Sequence, residues 1–276
     1  YTDINIYEEC KFIEFDRNGS LIRSQKLNNG FKGGVIQSLS CKYLPGGGFI
    51  IAGFMDSIYT PVNTPTYRSI FFFNIFDKNG KQIGNKRYWD LYNFDGRVEI
   101  AIMKDISILF LIKYADILIK TNSLGNTIWT YDDLYRRSTG NPYTFRLRKI
   151  VLDNDDNIYI VGHYYKRINN WRGSIALIKF DKNMNRQWGY LYNDSIASSN
   201  TPSGLFAIEH NLDLNLQGNL ILTAISNYHG NGQFFPTTVI ELNKDGEVFH
   251  AKSLHSVYLG YNALYYGNLG NTKDFT

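Results

Sequence analysis

Proline and cysteine are scarce in this 276-residue chain, which has six of the first and two of the second. So little proline, and no low-complexity tract, leaves little room for a long linker. Cys10 and Cys41 can form one disulfide in an exported protein or stay as two thiols in a reducing compartment, and one pair does not choose. Long hydrophobic runs are missing too. The most apolar stretch, Ile106–Ile112, is far shorter than the ~20 residues of a membrane-spanning helix. Charge of one sign is not in excess: 29 Lys and Arg against 25 Asp and Glu leave +4, too mild and dispersed for the clustered basic face that nucleic acid requires. The chain starts at Tyr1 without a Met or a charged-then-apolar leader, the form expected of a processed chain or of a fragment of a longer one.

What the chain does have is apolar and aromatic material, 43% and 16% of its residues, with 21 Tyr and 18 Phe. That is enough for a large core and argues against disorder. It also has a repeat. A turn of the form Asp/Asn-x-x-Gly recurs at Asp16–Gly19, Asp77–Gly80, Asn122–Gly125 and Asn243–Gly246, and a fifth copy, Asp181–Met184, lacks the glycine. Asp or Asn at the first position accepts a hydrogen bond from the backbone, and Gly at the fourth supplies positive φ. Each turn follows a short strand-like run: Phe12–Phe15, Phe73–Phe76, Leu118–Thr121, Leu177–Phe180 and Val239–Leu242. Each precedes a strand with an apolar anchor: Ile22, Ile83, Ile128 with Trp129, Trp188 and Phe249. A second hairpin precedes four of the five. Its outgoing strands, Phe49–Gly53, Ile108–Ile112, Ile158–Gly162 and Leu220–Ala224, are almost wholly apolar, which predicts that both their faces are covered.

Four strands per unit, with the turns' fourth residues 45 to 62 positions apart, predict an all-β fold, a β-propeller of four-stranded antiparallel blades. Blades are expected at 35–91, 97–133, 145–193 and 205–254. Residues 1–30 would supply the outer strands of a fifth and 255–276 its inner strand, at Asn262–Tyr266, so that the paired chain ends close the ring and hide its edges. A longer parent chain with more blades is the alternative. Ile51, Phe110, Ile160 and Leu222 occupy equivalent positions and are expected to be buried between sheets, with Trp129 and Trp188 packed on a neighbouring blade. Asp156-Asn157-Ile158-Tyr159-Ile160-Val161-Gly162, then Ala176–Asp181 and Trp188, resembles the repeat of the bacterial SBBP-type β-propeller family. The best copy covers 145–193 and weaker ones most of the chain. Asp156 and Met184 depart from the family's glycines, and the second blade is short. The resemblance rests on turn and core positions. It implies an extracytoplasmic home, at the cell surface, secreted or periplasmic, and implies no activity.

The residues that carry chemistry are not arranged for it. His163, His210, His229, His250 and His255 show no metal-ligand spacing, and no metal or other cofactor is expected. Asp153–Asn157 has oxygen donors at alternate positions but lacks the glycine and glutamate of a calcium loop, so a plain turn is expected. There is no nucleophile elbow or phosphate loop. Asp56, Asp90, Asp95, Asp132, Asp133 and Asp194 are placed in loops of one face, where a carboxylate pair would make a glycoside hydrolase, the remote reading. Recognition by a non-catalytic surface is the leading one. Six longer loops are expected on one face, Asp56–Arg68, Asp90–Gly96, Asp132–Tyr143, Tyr164–Arg172, Asp194–Gly204 and Asn227–Pro236, opposite the tight turns. They hold aromatic and amide side chains suited to a protein partner or a sugar. Tyr59, Tyr67, Tyr165, Trp171, Arg172, Tyr228, Phe234 and Phe235 are the candidate contacts. A lectin should repeat its site from blade to blade, and the inequality of these loops favours one protein partner.

Overall fold

The Asp/Asn-x-x-Gly signature closes one kind of turn throughout the chain. The computed structural model describes residues 11–26, 34–59, 66–92, 97–113, 116–131, 143–166, 173–193, 206–227, 237–254 and 270–273. In nine places the first turn residue's N–H donates to the fifth residue's carbonyl and the fourth residue's N–H donates to the first residue's carbonyl: 16–20, 44–48, 77–81, 103–107, 122–126, 153–157, 181–185, 215–219 and 243–247. Where the first residue is Asp or Asn, its Oδ1 also accepts from the third and fifth N–H, as Asp77 does from Asn79 and Lys81 at 2.9 Å. The fourth residue has positive φ in all nine turns. Glycine fills six of these positions; Ile106 (64°), Asp156 (60°) and Met184 (68°) do not. A β-branched residue is the worst fit to this conformation. Ile106→Gly is therefore expected to stabilise the fold by about 1 kcal/mol and to raise Tm. An unchanged or lower Tm would show that the turn carries no strain. Asp156→Gly gains less, because its carboxylate accepts the Lys104 N–H of a neighbouring turn at 3.1 Å.

These turns join strands into five antiparallel sheets. Sheet I is β1 (Lys11–Phe15) and β2 (Leu21–Lys26). Sheet II is β3 (Gly34–Tyr43), β4 (Phe49–Tyr59), β5 (Thr66–Phe76) and β6 (Gln82–Tyr92). Sheet III is β7 (Val98–Ile102), β8 (Ile108–Ile112), β9 (Ile117–Thr121) and β10 (Thr127–Tyr131). Sheet IV is β11 (Tyr143–Leu152), β12 (Ile158–Lys166), β13 (Gly173–Phe180) and β14 (Arg186–Asn193). Sheet V is β15 (Phe206–Leu214), β16 (Leu220–Asn227), β17 (Thr237–Leu242) and β18 (Val248–Leu254). Among the described residues there is no helix. The expected all-β class and four-stranded antiparallel units are there. β19 (Gly270–Lys273) adds a fifth strand to sheet IV, beside β14.

Sheets II to V pack face to face in chain order. Ile50, Phe54, Phe71 and Phe73 of sheet II meet Ile108 and Phe110 of sheet III. On the other face of sheet III, Leu109, Leu111 and Leu118 meet Ile158, Ile160 and Phe180 of sheet IV. Tyr159, Leu177 and Tyr190 of sheet IV then meet Leu220, Leu222 and Leu242 of sheet V. Successive residues of β8 and β12 thus enter different cores, and this is why the outgoing strands have no polar face. Ile51, Phe110, Ile160 and Leu222 are all buried; the last three lie in the cores between sheets, as expected, while Ile51 packs with Phe49 and Phe76 of its own sheet. The first strands β3, β7, β11 and β15 are neighbours in that order.

One set of expected anchors is wrong. Ile22, Ile83, Ile128 and Phe249 are exposed, at 58, 44, 54 and 53%. The cause is a β-bulge two residues past the turn in every outer strand: Thr127 and Trp129 pair with Thr121 and Lys120 and skip Ile128, and the same shift skips Ile22, Ile83, Gln187 and Phe249. The skipped residue turns to solvent and the next turns inward. Trp129 and Trp188 gain burial this way and pack on the III/IV and IV/V cores as expected. The side chain of Trp89, the tryptophan of β6, lies outside the described residues. So does Asn262–Tyr266, the expected closing strand. Among the described residues β1 and β2 pair only with each other, and the described part of the C-terminal tail borders sheet IV. Cys41 is a free, exposed thiol, and Cys10 is outside the described residues.

Candidate functional site

Within each meander the two tight turns share one end. Contacts between sheets put all these turns on the same side of the stack. Arg23 Nη1, three residues past its turn, donates to the Lys78 carbonyl at 3.3 Å, a Cβ at Gly84 would meet the Leu124 carbonyl, Lys104 N–H donates to Asp156, and Lys179 Nζ, next to the 181–185 turn, donates to the Lys244 carbonyl at 3.2 Å. Gly246 lies so close to Tyr190 that a Cβ there would stand 2.6 Å from its ring, so this position needs glycine for space as well as for φ. Asp153 is a turn former, as expected: its carboxylate accepts from the Asp155 and Asn157 N–H groups, Asn157 Nδ2 and Tyr159 OH. Burial works against its charge, but these hydrogen bonds prevail and lower its pKa.

At the opposite end the strands are connected by residues 27–33, 60–65, 93–97, 113–116, 132–142, 167–172, 194–205 and 228–236. Three of the expected loops are shorter than the sequence suggested. Asp56–Tyr59 and Thr66–Arg68 are strand, as are Asp90–Tyr92 and Tyr164–Lys166. Ile58, Tyr59, Thr66 and Tyr67 are strand formers and continue the ladder, while Pro61, Asn63 and Pro65 crowd the residues between. Tyr59 faces Thr66, Tyr67 faces Ile58, and Tyr165 faces Gly173 across the final rungs at this end. The side chains of these three tyrosines, and all of Trp171, Arg172, Tyr228, Phe234 and Phe235, lie outside the described residues. Of the carboxylates, Asp56 and Asp90 are in strands, and Asp95, Asp132, Asp133 and Asp194 are outside the described residues.

A charged cluster that the sequence reading missed stands where sheets III and IV approach this end. Glu99 on β7 accepts from Lys113 Nζ at 2.7 Å and, across the sheet boundary, from Lys149 Nζ on β11 at 2.9 Å. Burial penalises the Glu99 charge, but the two lysines more than offset this and its pKa is lowered. Asp116, buried, accepts the Leu147 N–H at 2.8 Å. Arg146 sits opposite His163, and Arg148 is the residue skipped by a bulge between Leu147 and Lys149. Burial first, then the positive charges of Arg148 and Arg146, push His163 down to about 3. The signal was available: Glu99 interrupts an apolar strand, and Arg146, Arg148 and Lys149 stand within four residues. The cluster locks two sheets together through charge. Among the described residues no three His, Cys, Asp or Glu side chains gather as metal ligands, and no helix is long and apolar enough to cross a membrane. Comparison with models of protein families and with characterised proteins finds no match.

Proposed function

We propose that sheets I–V are the blades of a five-bladed β-propeller, and that this propeller is a non-catalytic extracytoplasmic module binding a protein partner in a cell-surface assembly. The observation that carries the reading is the contrast between the two ends of the stack. One end repeats a single turn nine times, while the other joins the same strands through connections of unequal length. A rigid scaffold that varies at one end only is built to present that end. Sheet-on-sheet packing in chain order, with the first strands as neighbours, supports the propeller geometry; since 270–273 borders sheet IV, ring closure would fall to residues 1–30 with a strand at Asn262–Tyr266. The extracytoplasmic setting rests on the resemblance of 145–193 to SBBP-type repeats. Tyr59, Tyr67, Tyr165, Trp171, Arg172, Tyr228, Phe234 and Phe235 are the proposed contacts, because aromatic residues and Arg dominate protein-binding hot spots.

The test places a photo-cross-linking residue at Trp171 or Phe235, and as controls at Asn18 or Asn79 in the tight turns, in cells of the source. Protein adducts are expected from the first pair only. For the partner so found, Trp171→Ala and Phe235→Ala should each weaken binding by about 2 kcal/mol, roughly thirtyfold, and leave Tm nearly unchanged. A fall in Tm with binding intact would make these residues loop packing. Adducts from the turn end alone would overturn the assignment, and a glycan-array signal with no protein adduct would favour the lectin reading.

A further inference from the structure

An outer strand presents a row of backbone N–H and C=O groups that a further strand can pair. Among the described residues, β2, β6, β10 and β18 have no such neighbour. β14 has one. Gly270–Lys273 runs antiparallel to it, with Tyr190 opposite Lys273, Leu191 opposite Thr272, Tyr192 opposite Asn271 and Asn193 opposite Gly270. The sequences of the outer strands explain the choice. β6 contains Lys86, Arg87 and Asp90, β18 contains Lys252, and β2 contains Arg23 and Lys26. Such charges keep edges apart. β10 is neutral but only five residues long. β14 has eight residues and one charge, Arg186 at the strand's start, away from the 190–193 stretch that pairs, whereas Lys252 lies inside β18; it also has the strand formers Trp188, Tyr190 and Tyr192. Its tyrosines are already fixed against sheet V, Tyr192 through its hydrogen bond to Gly246, so the edge is preorganised.

The strand that covers this edge is poor by comparison. Gly-Asn-Thr-Lys holds two residue types depleted in strands and makes four rungs, at the end of the connection 255–269. A weak strand on an adhesive edge is replaceable. We propose that the outer edge of β14, Tyr190–Asn193, accepts an extended segment of a protein partner, little charged and with a β-branched or aromatic residue opposite Leu191, which pairs antiparallel in the place of β19. This goes beyond the loop-end reading and does not rest on it. Backbone pairing supplies the attraction, and the residue opposite Leu191 supplies the selectivity.

The probe is a fluorescent peptide with the sequence of Asn268–Thr276 in which Asn271→Val and Thr272→Ile improve the strand. It is titrated into the full chain and into its N271P/T272P double variant, where the prolines remove two backbone donors from the covering strand. The variant should bind at least about tenfold tighter, because its own tail no longer competes. The peptide without the two changes should bind at least about tenfold more weakly than the improved one. In the unmodified chain, saturating peptide should speed amide exchange in 270–273 while 190–193 stays protected. This reading holds even where the proline variant folds badly. Equal affinity for both chains, no binding to either, or unchanged exchange at 270–273 would overturn the proposal.

Discussion

Replacing Phe110 with alanine is expected to lower the unfolding free energy by about 3–5 kcal/mol, the range for deleting a fully buried aromatic side chain. Phe110 has no exposed surface and stands at the centre of the II/III interface. Its ring stacks on Phe73 at 4.7 Å and meets Phe71 edge-on at 5.5 Å, with Tyr88 behind Phe71. These partners belong to sheet II while Phe110 belongs to sheet III, so truncation removes contacts between sheets rather than within one. Rings held in a meander cannot slide together to fill the gap, which keeps the cavity cost high. Denaturant unfolding followed by aromatic fluorescence measures the change, read as a shift in midpoint at constant slope. Ile128→Ala is the control. Its exposed, bulged position should cost no more than about 0.5 kcal/mol. A loss below about 1.5 kcal/mol for Phe110→Ala would mean that the two sheets do not pack as described.

The contrast between Phe110 and Ile128 marks the limit of what a strand pattern tells. Period-two alternation and apolar runs located β4, β8, β12 and β16, because a strand covered on both sides needs no polar residue. The Asp/Asn-x-x-Gly motif located the turns at 16–19, 77–80, 122–125, 181–184 and 243–246, whose side-chain bonds are local chemistry. Neither signal could show the bulge. Ile22, Ile83, Ile128 and Phe249 look like core residues by spacing, and one skipped pairing per outer strand turns them to solvent. The turns of the second hairpin, 44–48, 103–107, 153–157 and 215–219, were not read as the same device. Leu44–Gly48 and Met103–Ser107 have the backbone geometry of the others without Asp or Asn at the first position, so the neighbouring sheets and the flanking hairpins hold them.

The site was legible only in outline. Topology puts the expected loops at one end, and the strands run further into them than polar residues suggested, as Tyr59, Tyr67 and Tyr165 show. β19 left no trace in the pattern, since Gly-Asn-Thr-Lys has no strand-forming character of its own and is a strand because β14 offers an edge. The Glu99 cluster was missed for a related reason. Glu99, Lys113 and Lys149 are distant in sequence, and their meeting depends on which faces of sheets III and IV come together.

Acid is expected to weaken the fold in two stages, and the first belongs to His163. The ring is mostly buried, and charging it would add a proton beside Arg146 and Arg148, so its folded pKa is lowered to about 3 from an ordinary value of 6.5. Above pH 6.5 both folded and unfolded chains hold it neutral, and the stability it permits is fully present. As pH falls below 6.5 the unfolded chain takes up the proton and the folded chain does not, so each further unit costs about 1.4 kcal/mol until the folded pKa is reached. From pH 7 to pH 5 the loss should be about 2 kcal/mol. Glu99, Asp105 and Asp153 have lowered pKa values, and the stability they contribute is lost only as pH falls below the usual carboxylate range, which forms the second stage. The two stages separate by comparing unfolding midpoints of the native chain and His163→Phe at pH 7, 6 and 5. The variant can be less stable throughout, since phenylalanine must fit beside two arginines, yet its stability should change little between pH 7 and 5. If the variant keeps the native slope across that interval, another group takes up the proton and His163 is not the source.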